Sequence, residues 1–498
     1  MSINFKKLSP YLICCLLAWQ SAGFADDMIH IFPIQDYSQR ISDWVAVNDN
    51  TTHFISPEQQ ALRYANFKSH FFGDNSPWSQ IYVGPILNPA SGETIQQVET
   101  DVLAMFTNTS STTSENIQYA ENFHAYDLLG GPQNWANNIG NNMNLAQFAS
   151  LAYNSANNLI ATNNILGRML PTQDPSFQSY TLGGQGYPFD NLQVSAIWAG
   201  TPLYLLGTTR DGKWDLILTD SFFTWVPDNS VARIAADQIN NWTNASNFIA
   251  ITQTQTKVSN SNNQYLFDAY VGSVFPAGPG NNQLLIPVRN DDGSAQVIAA
   301  NITSNSSVTM PLPATPKNMA MLMSTLKGRP YGWGNMYYYN DCSAELKSLF
   351  TPFGVWLPRN SSMQPSQGKV VNLTSNDMNH RIAYLLNNGH ALATLINIPG
   401  HIMLYTGGYK WMWSFQAMTY QNVWGLRPPA SNSMTVYRDV IGGAVFLPLL
   451  RQYPEDPNAQ SLADKSTFIL SYLDQMPSAA KITQPDLKAM AMFPADDS

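Results

Sequence analysis

The chain has almost no cysteine: three in 498 residues, of which Cys14 and Cys15 lie in the first 25. Residues 1–25 run from a basic start (Lys6, Lys7) through the short apolar stretch Tyr11–Trp19 to Ser21-Ala-Gly-Phe-Ala25, the order of a cleavable export signal. Ile13 and Cys14 are poor residues to precede an acylated cysteine, so a lipid anchor is not expected. With that segment removed Cys342 stands alone, which excludes an intramolecular disulfide. Charge is scarce as well, at 12% Asp, Glu, Lys and Arg against about 25% in ordinary soluble domains. The formal net charge is −9 and becomes −11 when Lys6 and Lys7 leave, since residues 1–25 hold no acid. An anionic chain without a basic cluster argues against nucleic acid or anionic lipid as the main partner. No later run reaches the ~18 uninterrupted apolar residues of a spanning helix, so no integral membrane segment is expected after signal removal. H-E-x-x-H, G-x-S-x-G and a phosphate-binding glycine loop are all missing, and no metal or organic cofactor is expected. A lone thiol in an exported chain is then a small buried apolar group or a nucleophile.

What is present bounds the architecture. With 44% hydrophobic and 12% aromatic residues, the remaining length of about 470 residues suits three or four domains. Residues 26–185 carry helix-like spacing (Leu145, Phe148, Leu151, Ala152, then Leu159), broken by the polar run Thr107–Ser114 and closed by Pro171, Pro175 and Gly183–Gly186. Residues 186–245 and 246–310 read as two small β-barrels in tandem. Strands are expected at Val194–Trp198, Thr201–Leu206, Trp214–Leu218 and Phe222–Val226, then at Ala269–Phe275, Leu284–Val288 and Ala295–Ile298. Asp211-Gly212 and Asp292-Gly293 mark hairpin turns. Residues 311–450 hold the chemistry. Residues 451–498 are expected to be a helix over Ser461–Leu473 followed by a tail.

Cys342 follows Asn340-Asp341, residues that cap helices, and precedes Ala344-Glu-Leu-Lys-Ser-Leu-Phe350, which Pro352 and Gly354 stop. At a helix N-terminus the unpaired N–H groups and the macrodipole favour a thiolate, and the Cys342 N–H is a ready oxyanion donor. Among seven histidines (His30, His53, His70, His124, His380, His390, His401), His401 has the best context for a base. It follows the Pro399-Gly400 turn and opens a strand after Ala391–Ile396. His390, at a strand start, reads as structural. A third residue should fix the tautomer of the base. Trp411–Phe415 and Met418–Gly425 read as the next two strands, so Gln421 or Asn422 could supply a carbonyl, and spacing does not choose between them.

Five ordered blocks, Pro330-Tyr-Gly-Trp-Gly334, Asp341-Cys-Ser343, Gly354–Ser362 with Gln364, Pro399-Gly-His-Ile-Met-Leu-Tyr405 and Val423-Trp-Gly-Leu-Arg427, resemble an NlpC/P60 cysteine peptidase domain. Phe189–Pro202 with Asp211-Gly-Lys-Trp214 resembles the first of two bacterial SH3-like domains that precede it in an exported subgroup. The resemblance implies a multidomain α+β protein: a helical N-terminal region, two small SH3-like β-barrels and a papain-like catalytic domain. It implies hydrolysis of peptidoglycan stem peptides or muropeptides at the bond between γ-D-glutamate and a diamino acid such as diaminopimelate, in the bacterial periplasm or outside the cell, by a monomer. By the same resemblance Cys342 is the nucleophile, His401 the base and Gln421 the third residue, where the family usually has histidine. Asp341 and Ser343 correspond to residues that hold a free N-terminal L-alanine. Tyr331 and Trp333 would line the cleft, Ser361 would touch substrate and Arg359 would be structural. Two other functions fit the same pattern: a catalytically impaired wall-binding protein, and a thiol acyltransferase on the same fold.

Overall fold

The computed structural model describes residues 29–106, 131–177, 186–411, 414–428, 438–477 and 486–491. The expected export signal with Cys14 and Cys15, the polar run 107–114 and His124 lie outside the described residues, as does most of the tail beyond 477. Among the described residues no helix is long and apolar enough to cross a membrane.

Helix and sheet are mixed. The apolar strands of the last third of the chain build a seven-stranded sheet. Its order is Ile29–Ile31, Arg438–Leu449, Ser414–Leu426, His401–Trp411, Thr394–Ile398, Ile469–Tyr472 and Lys369–Asn372. Only the first pair is parallel. Strands buried on both faces, such as Thr394–Ile398, form the middle of this sheet, as a run of unbroken apolar residues requires. Pro399 and Gly400 make the two-residue turn between Ile398 and His401, with Gly400 at φ 66°, a value that favours glycine.

On one face of this sheet lies the helix Cys342–Phe350. Asp341 caps it, its side chain accepting the Ala344 N–H at 3.0 Å. Leu346, Leu349 and Phe350 are at most 1% exposed and pack against Ile402, Leu404 and Tyr420. The helix passes into a 3-10 turn at Thr351–Phe353 and ends at Gly354, φ 74°. These local signals were all present in the sequence.

A second seven-stranded sheet uses residues 158–233, in the order Gln193–Ile197, Ile165–Arg168, Phe223–Pro227, Trp214–Leu218, Pro202–Thr208, Asn158–Ala161 and Val231–Arg233. Its hairpin at Gly212 (φ 68°) is where Asp211-Gly212 placed it. Residues 248–309 form two further sheets, one of four strands and one of three.

Five expectations are corrected. Asn158–Ala161 and Ile165–Arg168 are strands inside the stretch 26–185 expected to be helical, and the spacing Leu145–Leu151 belongs to a 3-10 turn, Leu145–Ala149. Short strands buried on both faces mimic helical spacing when neighbours are invisible. Ala269–Phe275 is broken by Gly272 (φ 94°) into the strands Tyr265–Ala269 and Val274–Pro276. Trp411–Phe415 is no separate strand; its ends close His401–Trp411 and open Ser414–Leu426. Ser461–Leu473 is not a helix but a 3-10 turn, Leu462–Asp464, and the strand Ile469–Tyr472, which fills the slot between Thr394–Ile398 and Lys369–Asn372. Finally, Ile29–Ile31 leaves the N-terminal region to pair with Arg438–Val440.

The helix Pro57–Phe72 fastens that region to the segments on either side of the Cys342 helix. Gln60 donates to the carbonyls of Leu312 and Phe353 at 2.6 and 2.9 Å. Leu470, fully buried between Ile396 and Val371, tests the corrected C-terminal strand. Leu470→Ala should cost roughly 2–5 kcal/mol in denaturant unfolding, while Leu470→Ile should cost under about 1.5. Equal, negligible effects of both would show that the strand does not belong to the core.

Candidate functional site

The cap at Asp341 fixes the direction of the Cys342 helix, and the helix brings Cys342 to the start of the His401 strand. The backbone N–H groups of Ile402, one residue beyond His401, and of Ser343 face the Cys342 sulfur and favour its ionised form. His401 is half-buried, and its Nε2 lies 2.7 Å from Oε1 of Gln421 on the adjacent strand. Gln421 is 1% exposed. Asn422 points elsewhere, donating to the carbonyl of Asn340 at 2.7 Å. The choice left open by spacing is thereby made: the imidazole meets Gln421.

The tautomer of His401 follows from two further bonds. Thr419 donates its hydroxyl to the carbonyl of Leu447 at 2.7 Å, and a carbonyl can only accept. The Thr419 oxygen therefore accepts from the amide nitrogen of Gln421, 2.8 Å away. That orientation turns the amide oxygen of Gln421 toward His401, so Nε2 carries the proton and Nδ1 is the basic nitrogen.

A model for an SH3 domain of the SH3b1 type matches residues 175–227. A solved structure described as a novel NlpC/P60 endopeptidase from Photobacterium damselae subsp. piscicida is similar over 90% of this chain and 100% of its own, with a TM-score of 0.74 and 26% identity. The chain is thus similar along nearly its whole length to an NlpC/P60 endopeptidase, and it carries an SH3-like domain. An NlpC/P60 protein from Bacillus cereus matches at 15% identity over 54% of this chain and 81% of its own, with a TM-score of 0.36. NlpC2 from Trichomonas vaginalis matches at 12% identity over 64% and 98%, with a TM-score of 0.23. Among curated proteins none matches the sequence significantly.

One expectation is corrected at the thiol itself. Cys342 is 6% exposed, and burial, followed by the charge of Asp341, pushes its pKa up to about 12. The Ile402 N–H, the Arg359 guanidinium and the Ser343 N–H pull the other way and do not prevail. The resting group is a thiol, not the thiolate that the helix terminus alone would favour.

Asp341 and Ser343 are brought together, with a partner that the motif did not reveal. Ser343 donates to Oδ1 of Asp341 at 3.2 Å. The Arg359 guanidinium, 3% exposed, donates through Nη1 to Ser343 Oγ at 2.7 Å and through Nη2 to Oδ2 of Asp341. Tyr331 and Trp333 are half-buried around Phe189, with ring centroids 6.3 and 6.1 Å away, and Trp424 approaches the same ring at 4.8 Å. Phe189 comes from the SH3-matched segment, which therefore supplies part of this aromatic wall. Ser361 is half-buried and accepts, through its carbonyl, from Asn397 at 3.2 Å. His390 pairs with Asp474 at 2.6 Å, in keeping with a structural histidine. Asn340 and Glu345, missed in the sequence, form a buried polar pair at 2.9 Å, and burial pushes the Glu345 carboxyl up. Among the described residues no group of three or more His, Cys, Asp or Glu is arranged to hold a metal ion.

Because the thiolate is the form that reacts with iodoacetamide, a raised pKa means less of it at neutral pH. Alkylation of Cys342 at pH 7 should run more than tenfold slower than that of an exposed thiol of pKa about 8.5 and keep rising through pH 10. A rate that levels off by pH 8 would contradict the buried thiol.

Proposed function

We propose that this protein is a peptidoglycan hydrolase working as a monomeric cysteine peptidase, and that it cuts stem peptides between γ-D-glutamate and the diamino acid. The observation that carries the reading is the fixed imidazole: a His401 with its proton on Nε2, at the head of a strand whose next N–H meets the Cys342 thiol. The endopeptidase from Photobacterium damselae, at 26% identity and nearly full coverage, supports the reaction class.

In the first half-reaction the Cys342 proton passes to Nδ1 of His401 as the sulfur attacks the γ-glutamyl carbonyl carbon. A buried thiol makes these steps concerted, since the base takes the proton only when the substrate accepts the sulfur. The Cys342 N–H stabilises the oxyanion. When the C–N bond breaks, His401 returns the proton to the leaving amine, and a thioester remains. Water then attacks the thioester, giving its proton to His401, and cleavage of the C–S bond regenerates the thiol. Gln421 holds the imidazole in register and contributes no charge, unlike a histidinium or carboxylate in its place.

The reading extends to an extracytoplasmic site of action, which the basic, apolar and small-residue order of residues 1–25 supports. It also keeps a preference for stems with a free amino-terminal L-alanine. Asp341 can serve the ammonium only by sharing a carboxylate already bound to Arg359, so the preference is modest.

The test is incubation of L-Ala-γ-D-Glu-diaminopimelate with the protein and with Cys342→Ala, read by mass spectrometry. The protein should release diaminopimelate and the dipeptide, and Cys342→Ala should not. N-acetylation of the substrate should raise KM by less than about tenfold. Cleavage by both proteins would remove Cys342 from the chemistry, and cleavage by neither would leave a wall-binding protein.

A further inference from the structure

The SH3-like sheet does more than stand beside the cleft. Its strand Gln193–Ile197 presents Ser195, 1% exposed, to the residues flanking Cys342. Ser195 Oγ accepts from Nε of Arg359 at 2.7 Å. The same guanidinium continues to Asp341 and Ser343, the two chain neighbours of Cys342. In the other direction the Ser195 hydroxyl has two acceptors, the Ala196 carbonyl at 3.1 Å and Oδ1 of Asn335 at 3.2 Å, and Asn335 donates to Oδ1 of Asn340 at 3.0 Å. Asn340 donates to Glu345 at 2.9 Å, and Glu345 accepts the Tyr420 hydroxyl at 2.5 Å. Asn422 closes onto the carbonyl of Asn340. Tyr420 and Asn422 are the chain neighbours of Gln421.

An unbroken file of buried polar groups thus runs from both neighbours of Gln421 to both neighbours of Cys342. One link in it comes from a different sheet. We infer that Ser195 is a positioning residue for the Cys342 centre, acting through Arg359, so that the SH3-like sheet completes the frame of the active site. The inference rests on the peptidase reading for its catalytic consequence, and on geometry alone for its effect at the thiol.

The physical case is one of donor accounting. A buried guanidinium keeps its orientation only while its N–H groups are met, because an unmet donor in the interior is costly. Ser195 takes Nε, and this leaves Nη1 and Nη2 aimed at Ser343 and Asp341. Without the hydroxyl, Arg359 is free to rotate toward other acceptors, and Asp341 loses its compensating charge one residue from the sulfur. The backbone makes the fit tight: Gly334, φ 57°, is so close to the same strand that an added Cβ would sit 2.6 Å from the Gln193 carbonyl. The ionisable groups gathered around the thiol are Asp341 and Arg359, Glu345 on its own helix, Tyr420, and His401 at the head of its strand.

Ser195→Ala, Ser195→Thr and the interface control Gln193→Ala are compared in the full-length protein. Gln193 donates to the Gly334 carbonyl at 2.9 Å and touches no member of the file's charged end. Ser195→Ala should slow alkylation of Cys342 at pH 10 by roughly three- to tenfold, a shift of up to about one pKa unit in the thiol. It should lower kcat on the tripeptide about tenfold with KM within threefold, and Ser195→Thr should restore both. Gln193→Ala should change neither. If Ser195→Ala fails to fold, Ser195→Cys replaces it with a weaker acceptor at the same place. An unchanged alkylation rate, or an equal loss in Gln193→Ala, overturns the inference. If the unaltered protein cleaves no peptide, the alkylation arm still decides, so failure of the peptidase reading is told apart from failure of this one.

Discussion

Gln421 is held at both ends of its amide, and the chemistry of the centre depends on that constraint. Its nitrogen is committed to Thr419, whose own hydroxyl is committed to the Leu447 carbonyl, so its oxygen has one direction left, toward His401. A neutral amide thereby does what a charged residue does elsewhere: it selects one imidazole tautomer. The selection is mechanical and holds wherever the imidazole is neutral, because none of the three partners titrates. What is given up is electrostatic support for an imidazolium, which a carboxylate would provide.

The second constraint is a buried guanidinium. Arg359 joins the SH3-like sheet, the loop before the Cys342 helix and the first turn of that helix. Its charge opposes that of Asp341 beside the sulfur, and its planar fork meets three oxygens at once, a role for which lysine lacks the geometry. Burial still dominates, and the sulfur stays protonated at rest. The centre therefore combines a quiet thiol with a preset base. A protonated, buried sulfur is also shielded from oxidation, since the thiolate is the form most open to it.

Much of this was legible where the determinant is local. The Asp341 cap, the stop at Gly354, the Pro399-Gly400 turn and the hairpin at Gly212 each depend on residues a few positions apart, and each formed as read. Ile469–Tyr472 was read as helix because an apolar run next to Leu462 and Phe468 has no visible partner; the strands it fills are distant in the chain. Asn158–Ala161 misled in the same way. At the site, Cys342, His401 and Gln421 were nameable from their motifs, whereas the meeting of Ser195 with Arg359 spans 164 positions and has no spacing to betray it. The state of the thiol was misjudged for a related reason. A helix terminus can be read from a cap, but the depth at which it is buried is set by the sheet packed over it.

The central claim is that His401 carries its proton on Nε2 and offers Nδ1 to the sulfur. It is tested most directly by long-range 1H–15N correlation spectra of protein labelled with 15N-histidine, with Gln421→Ala as the assignment control. The account predicts the Nε2–H tautomer for His401 at neutral pH, with an unprotonated Nδ1, and loss of that single-tautomer signature in Gln421→Ala. A His401 found as the Nδ1–H tautomer would contradict it, because the nitrogen meant to take the thiol proton would already be occupied.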